Sequence, residues 1–163
     1  MKGRIKAGEG TLIGNAGESY VLGELLKRGI VAGLTPRNTR AFDILAKKNN
    51  KFVGIRVKTK SHEYREWQYS FKKDRSIHLE LSKNGDFTIL VTLSMQIKDM
   101  KFFIVPTIQI DKWLREGFKK WVETPGKNNR PHNPENKKVH LLEDKHATEL
   151  EKKYLNAWDT LFK

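Results

Sequence analysis

Residues 41–60, AFDILAKKNNKFVGIRVKTK, read as two strand-like runs, 41–46 and 52–59, joined by the polar loop 47–51. Apolar and cationic side chains alternate through Ile55–Lys60, which is the two-residue period of a half-buried strand. A hairpin centred near Asn49 and Asn50 sets Ile44 opposite Ile55, Asp43 opposite Arg56 and Phe42 opposite Val57. In that register the apolar faces of the two strands coincide, and Asp43, Arg56 and Lys58 share the other face. The cations Arg56, Lys58 and Lys60 are then either a solvated edge or one wall of a site for negative charge.

Upstream, Asn15 offers a helix N-cap, and residues 16–28 carry helical periodicity that closes at Gly29. Steps of 100° put Val21, Leu22, Leu25 and Leu26 on one arc with Glu18 near its middle, so a carboxylate is aimed at the core side. Residues 30–34 read as a short strand and 36–39 as a turn. Downstream, 87–93 and 101–105 form a second strand pair, rich in β-branched and aromatic residues. A helix follows over 107–122, its stripe of Ile110, Trp113, Leu114, Phe118 and Trp121 pointing both tryptophans at the core. Residues 139–142 predict a last strand and 147–162 a terminal helix. The chain thus divides into a flexible basic arm (1–13), a core (14–122), a Pro/Asn-rich basic loop (123–138) and a C-terminal strand and helix extension (139–163) packing on the core.

At 163 residues the chain supports one domain. Its 32 Lys and Arg against 19 Asp and Glu leave a net charge of +13, the electrostatic footprint of a nucleic-acid partner, although anionic membranes and acidic proteins attract the same charge. Cysteine is absent, which excludes disulfides, thiolate zinc sites and cysteine nucleophiles, so any metal sits on oxygen or imidazole ligands. The five histidines (62, 78, 132, 140 and 146) show no close ligand pair. No apolar run approaches the roughly 20 residues of a membrane helix, and none of secretory type follows the basic N-terminus, so a cytoplasmic, intracellular protein is expected.

Candidate nucleic-acid contacts are Arg37, Arg40, Lys60, Arg65, Trp67, Lys72 and Lys73. Around Trp67 the cations interleave with Tyr64, Tyr69 and Phe71, and rings stack on splayed bases while cations follow phosphates. The plainer reading is a solvated basic face with Trp67 in the core. Glu18, Asp43 and Lys58 converge, in this register, on one side of the sheet. Two carboxylates so close repel unless a cation lies between them; a divalent metal on oxygen ligands, Mg²⁺ or Mn²⁺, supplies it. An adjacent lysine orients the attacking water or stabilises charge developing on a phosphate. The plainer readings are Glu18 as an ordinary surface acid and Asp43 with Lys58 as a cross-strand ion pair.

The helix GESYVLGELLKRG (17–29), the strand FDIL (42–45) and the strand IRVKT (55–59) resemble the three core elements of the PD-(D/E)XK nucleases, the restriction-endonuclease-like superfamily that includes archaeal Holliday-junction resolvases. The strand pair ending in FFIVP (102–106) and the helix after it resemble the continuation of many of these enzymes. The resemblance implies an α/β fold, a mixed β-sheet flanked by helices in a single domain, and Mg²⁺- or Mn²⁺-dependent hydrolysis of DNA phosphodiesters. It assigns Glu18 the helix carboxylate, Asp43 the principal metal ligand, the Val57 backbone carbonyl a further ligand and Lys58 the motif lysine. Arg56 stands where the family has Glu or Gln, and a guanidinium, all donors, cannot ligate a metal. Arg56 has three readings: a pair with Asp43 in a metal-free binding site, a contact to the scissile phosphate, or a loss covered by a migrated acid, Glu63 or Glu66.

The expected function is therefore a metal-dependent DNA endonuclease. Its alternatives are a catalytically impaired nucleic-acid-binding module of the same fold and a basic domain that binds an acidic protein through loop 123–138. Nucleases of this kind often work as homodimers, but the sequence marks no dimer face.

Overall fold

The computed structural model describes residues 9–36, 42–73, 75–77 and 85–163. Strands β1 (Val31–Leu34), β2 (Ile44–Lys48) and β3 (Lys51–Ser61) form an antiparallel meander. The β2–β3 hairpin keeps the expected Ile44–Ile55 register and turns at Asn49-Asn50, with Asn49 at φ 54°, a left-handed conformation that asparagine tolerates. The chain then leaves through β4 (Glu66–Ser70) and returns as β5 (Phe87–Leu93), parallel to β3. A parallel pair needs a long crossover, and among the described residues this one carries the strand β4. β6 (Lys101–Pro106) adds antiparallel to β5, which completes a mixed sheet of order β1-β2-β3-β5-β6. β7 (Lys138–Leu142) pairs with β4 as a separate two-stranded ribbon.

Alternation along the central strands sends one set of side chains to each face, and each face has its own cover. Helix α1 (Glu9–Lys27) packs Val21 and Leu25 on Ile44, Val53, Ile55, Val57 and Ile89. On the opposite face Leu90, Phe103 and Val105 meet the ribbon residues Trp67, Tyr69, Val139 and Leu141 together with Ile110, Trp113 and Leu114 of helix α2 (Thr107–Glu123). The interleaved aromatic residues 67, 69 and 71 are thus core, because period-two burial in β4 turns them all inward. Among the described residues no helix is long and apolar enough to cross a membrane.

Three expectations change. Helix α1 begins at Glu9, six residues before the expected cap; Asn15 lies inside it, its carbonyl accepting the Ser19 hydroxyl at 2.8 Å. Residues 9–13 of the expected arm are therefore helical, and residues 1–8 lie outside the described residues. The terminal helix is broken in three: α3 (Glu143–Glu149), a wide turn over Leu150–Tyr154 and a 3₁₀ segment, Trp158–Phe162. The cause is a division of labour, since Leu150 fills the α2-side core whereas Trp158 and Leu161 fill the α1-side core. Between them the chain must round the edge of the sheet at β6, where Leu155 bridges Phe103 and the Asn156 N–H bonds the Phe102 carbonyl at 2.8 Å.

Candidate functional site

Upstream of Ile44 the hairpin departs from its expected pairing. The Asp43 N–H bonds the Ile55 carbonyl at 2.9 Å although Ile55 is already the partner of Ile44, so two residues oppose one. Such a bulge re-aims the side chain it carries. Asp43 consequently does not stand across from Arg56; its Oδ2 accepts the Val57 N–H at 2.8 Å. Phe42 does not face Val57 either, because its ring lies over Gly54, where a Cβ would come within 2.9 Å of it. Thr35 holds the departing segment by donating its hydroxyl to the Phe42 carbonyl at 2.7 Å.

In an extended strand the N–H and C=O of one residue point to the same neighbouring strand, so the Val57 carbonyl faces the gap that its N–H faces. Among the described residues no strand pairs with β3 there. A carboxylate and a carbonyl therefore look into one opening at the end of β2.

Arg56 and Lys58 project on the face opposite α1, beside Tyr69 of β4; the Lys58 Nζ lies 4.9 Å from the centre of the Tyr69 ring. Burial depresses the Lys58 pKa below the ordinary lysine range, the Arg56 charge depresses it further, and the Asp43 carboxylate pulls it back up. Burial pushes the Tyr69 hydroxyl far above the usual tyrosine range, against the pull of Arg56, which keeps it an O–H donor. That hydroxyl is buried and has no hydrogen-bond partner among the described residues. Together with Gln68, Ser70, Lys72 and Lys138 these residues line a cleft of about 460 Å³. Arg56, Lys58, Lys72 and Lys138 charge its walls, and among the described residues no carboxylate lines it.

Glu18 approaches from the other side. Helix α1 is seated on β3 at Gly17, where any Cβ would overlap Thr59 Oγ1. The buried stripe is Gly17–Val21–Leu25, and Glu18 flanks it half-buried. The expected convergence on one face is thus divided: Glu18 belongs to the α1 face, Arg56 and Lys58 to the opposite face, and the Asp43 carboxylate to the gap between β2 and β3. Neither Glu63 nor Glu66 lines the cleft; Glu63 is exposed after β3, and Glu66 is engaged by His140 Nδ1 at 2.7 Å.

Among the described residues no three His, Asp or Glu side chains cluster as a metal site. What the gap offers is oxygen, the Asp43 carboxylate and the Val57 carbonyl, with Glu18 on the neighbouring face. That donor set suits Mg²⁺ or Mn²⁺, ions that keep several waters and share their remaining positions with substrate phosphates.

Of the expected nucleic-acid contacts, Lys72 lines the cleft and Lys73 is exposed beside it. Arg37 and Arg40 lie outside the described residues. Arg65 is exposed and paired with Asp144. Lys60 is no surface cation: only 4% exposed, it is paired with Glu143 at 2.6 Å, donates to the Tyr64 carbonyl at 2.8 Å and lies 4.8 Å from the Trp67 ring centre. Trp67 is no stacking platform, being 1% exposed with its Nε1 donating to the Val91 carbonyl at 3.1 Å. Both are covered by the ribbon and the start of α3. Lys138 and Gln68 escaped the sequence reading, because only the β4–β7 pairing brings residue 138 opposite residue 70.

The bacterial homing endonuclease I-Ssp6803I superposes on this chain with a TM-score of 0.53, covering 91% of it and 90% of the homing enzyme at 12% identity. The fold is restriction-endonuclease-like. Archaeoglobus fulgidus Hjc, a Holliday junction resolvase from an archaeal hyperthermophile, aligns with a TM-score of 0.44 over 83% of this chain and 88% of its own, at 16% identity. The sequence matches no protein-family model and no curated protein. On the restriction-endonuclease-like frame, the β2–β3 gap and the cationic cleft lie at neighbouring positions along β3.

Proposed function

We propose that the chain is a metal-dependent endonuclease that grips the DNA backbone in the cationic cleft and hydrolyses a phosphodiester at the β2–β3 gap. The observation that carries this reading is the bulge at Asp43, which turns a carboxylate and the Val57 carbonyl into one opening beside Lys58. Asp43 and the Val57 carbonyl, with Glu18, would hold Mg²⁺ or Mn²⁺; such an ion neutralises phosphate charge and acidifies water. Lys58 orients the attacking water or donates to the phosphate oxygens as their charge grows. Arg56 takes the phosphate as a bidentate donor, the role left to a guanidinium that cannot ligate a cation. Lys72 and Lys138 hold flanking phosphates, and the Tyr69 O–H finds an acceptor there. Backbone contacts of this kind position the strand without reading its sequence.

Plasmid and branched-DNA cleavage with Mg²⁺ or Mn²⁺ tests the reading. Wild-type protein cuts; Asp43→Ala and Lys58→Ala lose cutting by at least about a hundredfold while still binding DNA. Arg56 also supports a second reading, a binding module that holds phosphates without cleaving them. Wild-type protein that binds DNA in excess metal and never cuts it would establish that alternative.

A further inference from the structure

Behind the cationic cleft, across β7, a second cavity of about 360 Å³ lies between α2, β7 and α3. Lys138 and His140 line both cavities, so the two adjoin across β7. We propose that this second cavity receives an unpaired nucleobase of the strand whose phosphates the cleft holds; the inference rests on the cleft's reading as a phosphate site.

The lining has the two characters that a base requires. One side is aromatic: Trp113, Phe118 and Trp121. Trp121 belongs to the stripe that the sequence turns toward the core, yet it is 37% exposed. Its ring stacks on His132 at 4.0 Å and 15°, and its carbonyl is bonded to His132 Nδ1 at 2.7 Å, so loop 123–138 holds the ring in place before any ligand arrives. The other side is polar. The Glu66 carboxylate, fixed by His140, accepts hydrogen bonds; the Asn136 side-chain oxygen takes the Lys138 N–H at 3.1 Å, leaving its NH₂ to donate. An acceptor and a donor facing a ring wall match the edge and faces of a base, with Glu66 favouring bases that carry an exocyclic amine. The volume is that of a small-ligand site. An apolar side chain of a partner protein would use the rings but leave the remaining acceptor capacity of Glu66 and the Asn136 NH₂ unused.

The test uses a short backbone of abasic sugar-phosphate units, with or without a single 2-aminopurine, titrated in EDTA against full-length protein. Wild type should bind the base-bearing oligomer about tenfold more tightly than the bare backbone, with quenched 2-aminopurine fluorescence. Trp121→Ala should remove that tenfold and leave bare-backbone affinity unchanged. Glu66→Gln should erase a preference for cytosine over thymine at the same position. Equal wild-type affinity for both oligomers, without quenching, overturns the base pocket and leaves the cleft standing; binding of neither overturns both. The wild-type comparison decides the matter even if a variant misfolds.

Discussion

On the proposed reading Arg56 sets the electrostatics of the site, since its fixed positive charge repels the metal ion that an acid at this position would attract. Arg56→Glu should raise Mn²⁺ affinity by about tenfold or more, because exchanging a cation for an anion close to a divalent ion is worth more than about 1.4 kcal/mol. Calorimetric titration of both proteins with Mn²⁺ measures it, and unchanged affinity would remove the metal from the β2–β3 gap. Lys58 carries the opposite tension: burial and the Arg56 charge lower its pKa, so its charged form destabilises the fold. The folded state then binds fewer protons than the unfolded one between that depressed pKa and the ordinary value of about 10.4, and stability rises with pH through this window. Lys58→Met, which removes the half-buried charge, should melt about 2–4 °C higher near neutral pH while losing cleavage. The difference should shrink as pH climbs through the window. A constant difference in melting temperature would deny the shift.

Helix α1 meets β3 so closely that Gly17 is a packing requirement, with Thr59 filling the place of its missing side chain. Gly17→Ala should destabilise the protein by roughly 1–3 kcal/mol despite alanine's better helix propensity, because overpacking outweighs it. Adding Thr59→Ala should restore part of that loss, a coupling that a denaturant-unfolding cycle measures. Simple additivity would place the helix elsewhere. The elements legible in the sequence were those whose burial repeats locally: the β2–β3 hairpin, the β5 and β6 pair, and α2. β4 was not, because Trp67, Tyr69 and Phe71 spaced among cations fit a core strand and a stacking surface equally well. The C-terminal segment departs from the expected single helix for a related reason: Leu150, Trp158 and Leu161 show one apolar pattern but serve two different cores.

At the scale of the whole molecule, the net charge is +13, and on the proposed reading the four cations of the cleft, Arg56, Lys58, Lys72 and Lys138, are the ones that hold the DNA backbone. If these cations neutralise about as many phosphates, the slope of log affinity for duplex DNA against log salt should be about −3 to −4, and Lys72→Ala should reduce it by about one. A flat response would point the charge at a different partner. By itself the sequence determined the fold class, the Ile44–Ile55 register, the exclusion of thiolate ligands and the cationic alternation of β3, because strand periodicity and composition are properties of the local chain. Tertiary structure alone decided that Asp43 bulges into the plane of the sheet, that Lys60 and Trp67 are buried, and that Lys138 joins the cleft. Burial of Lys60 and Trp67 and the place of Lys138 depend on what covers the face of β3, and that cover is the ribbon of β4 with β7, a partner about 70 residues beyond β4 whose pairing no local pattern encodes.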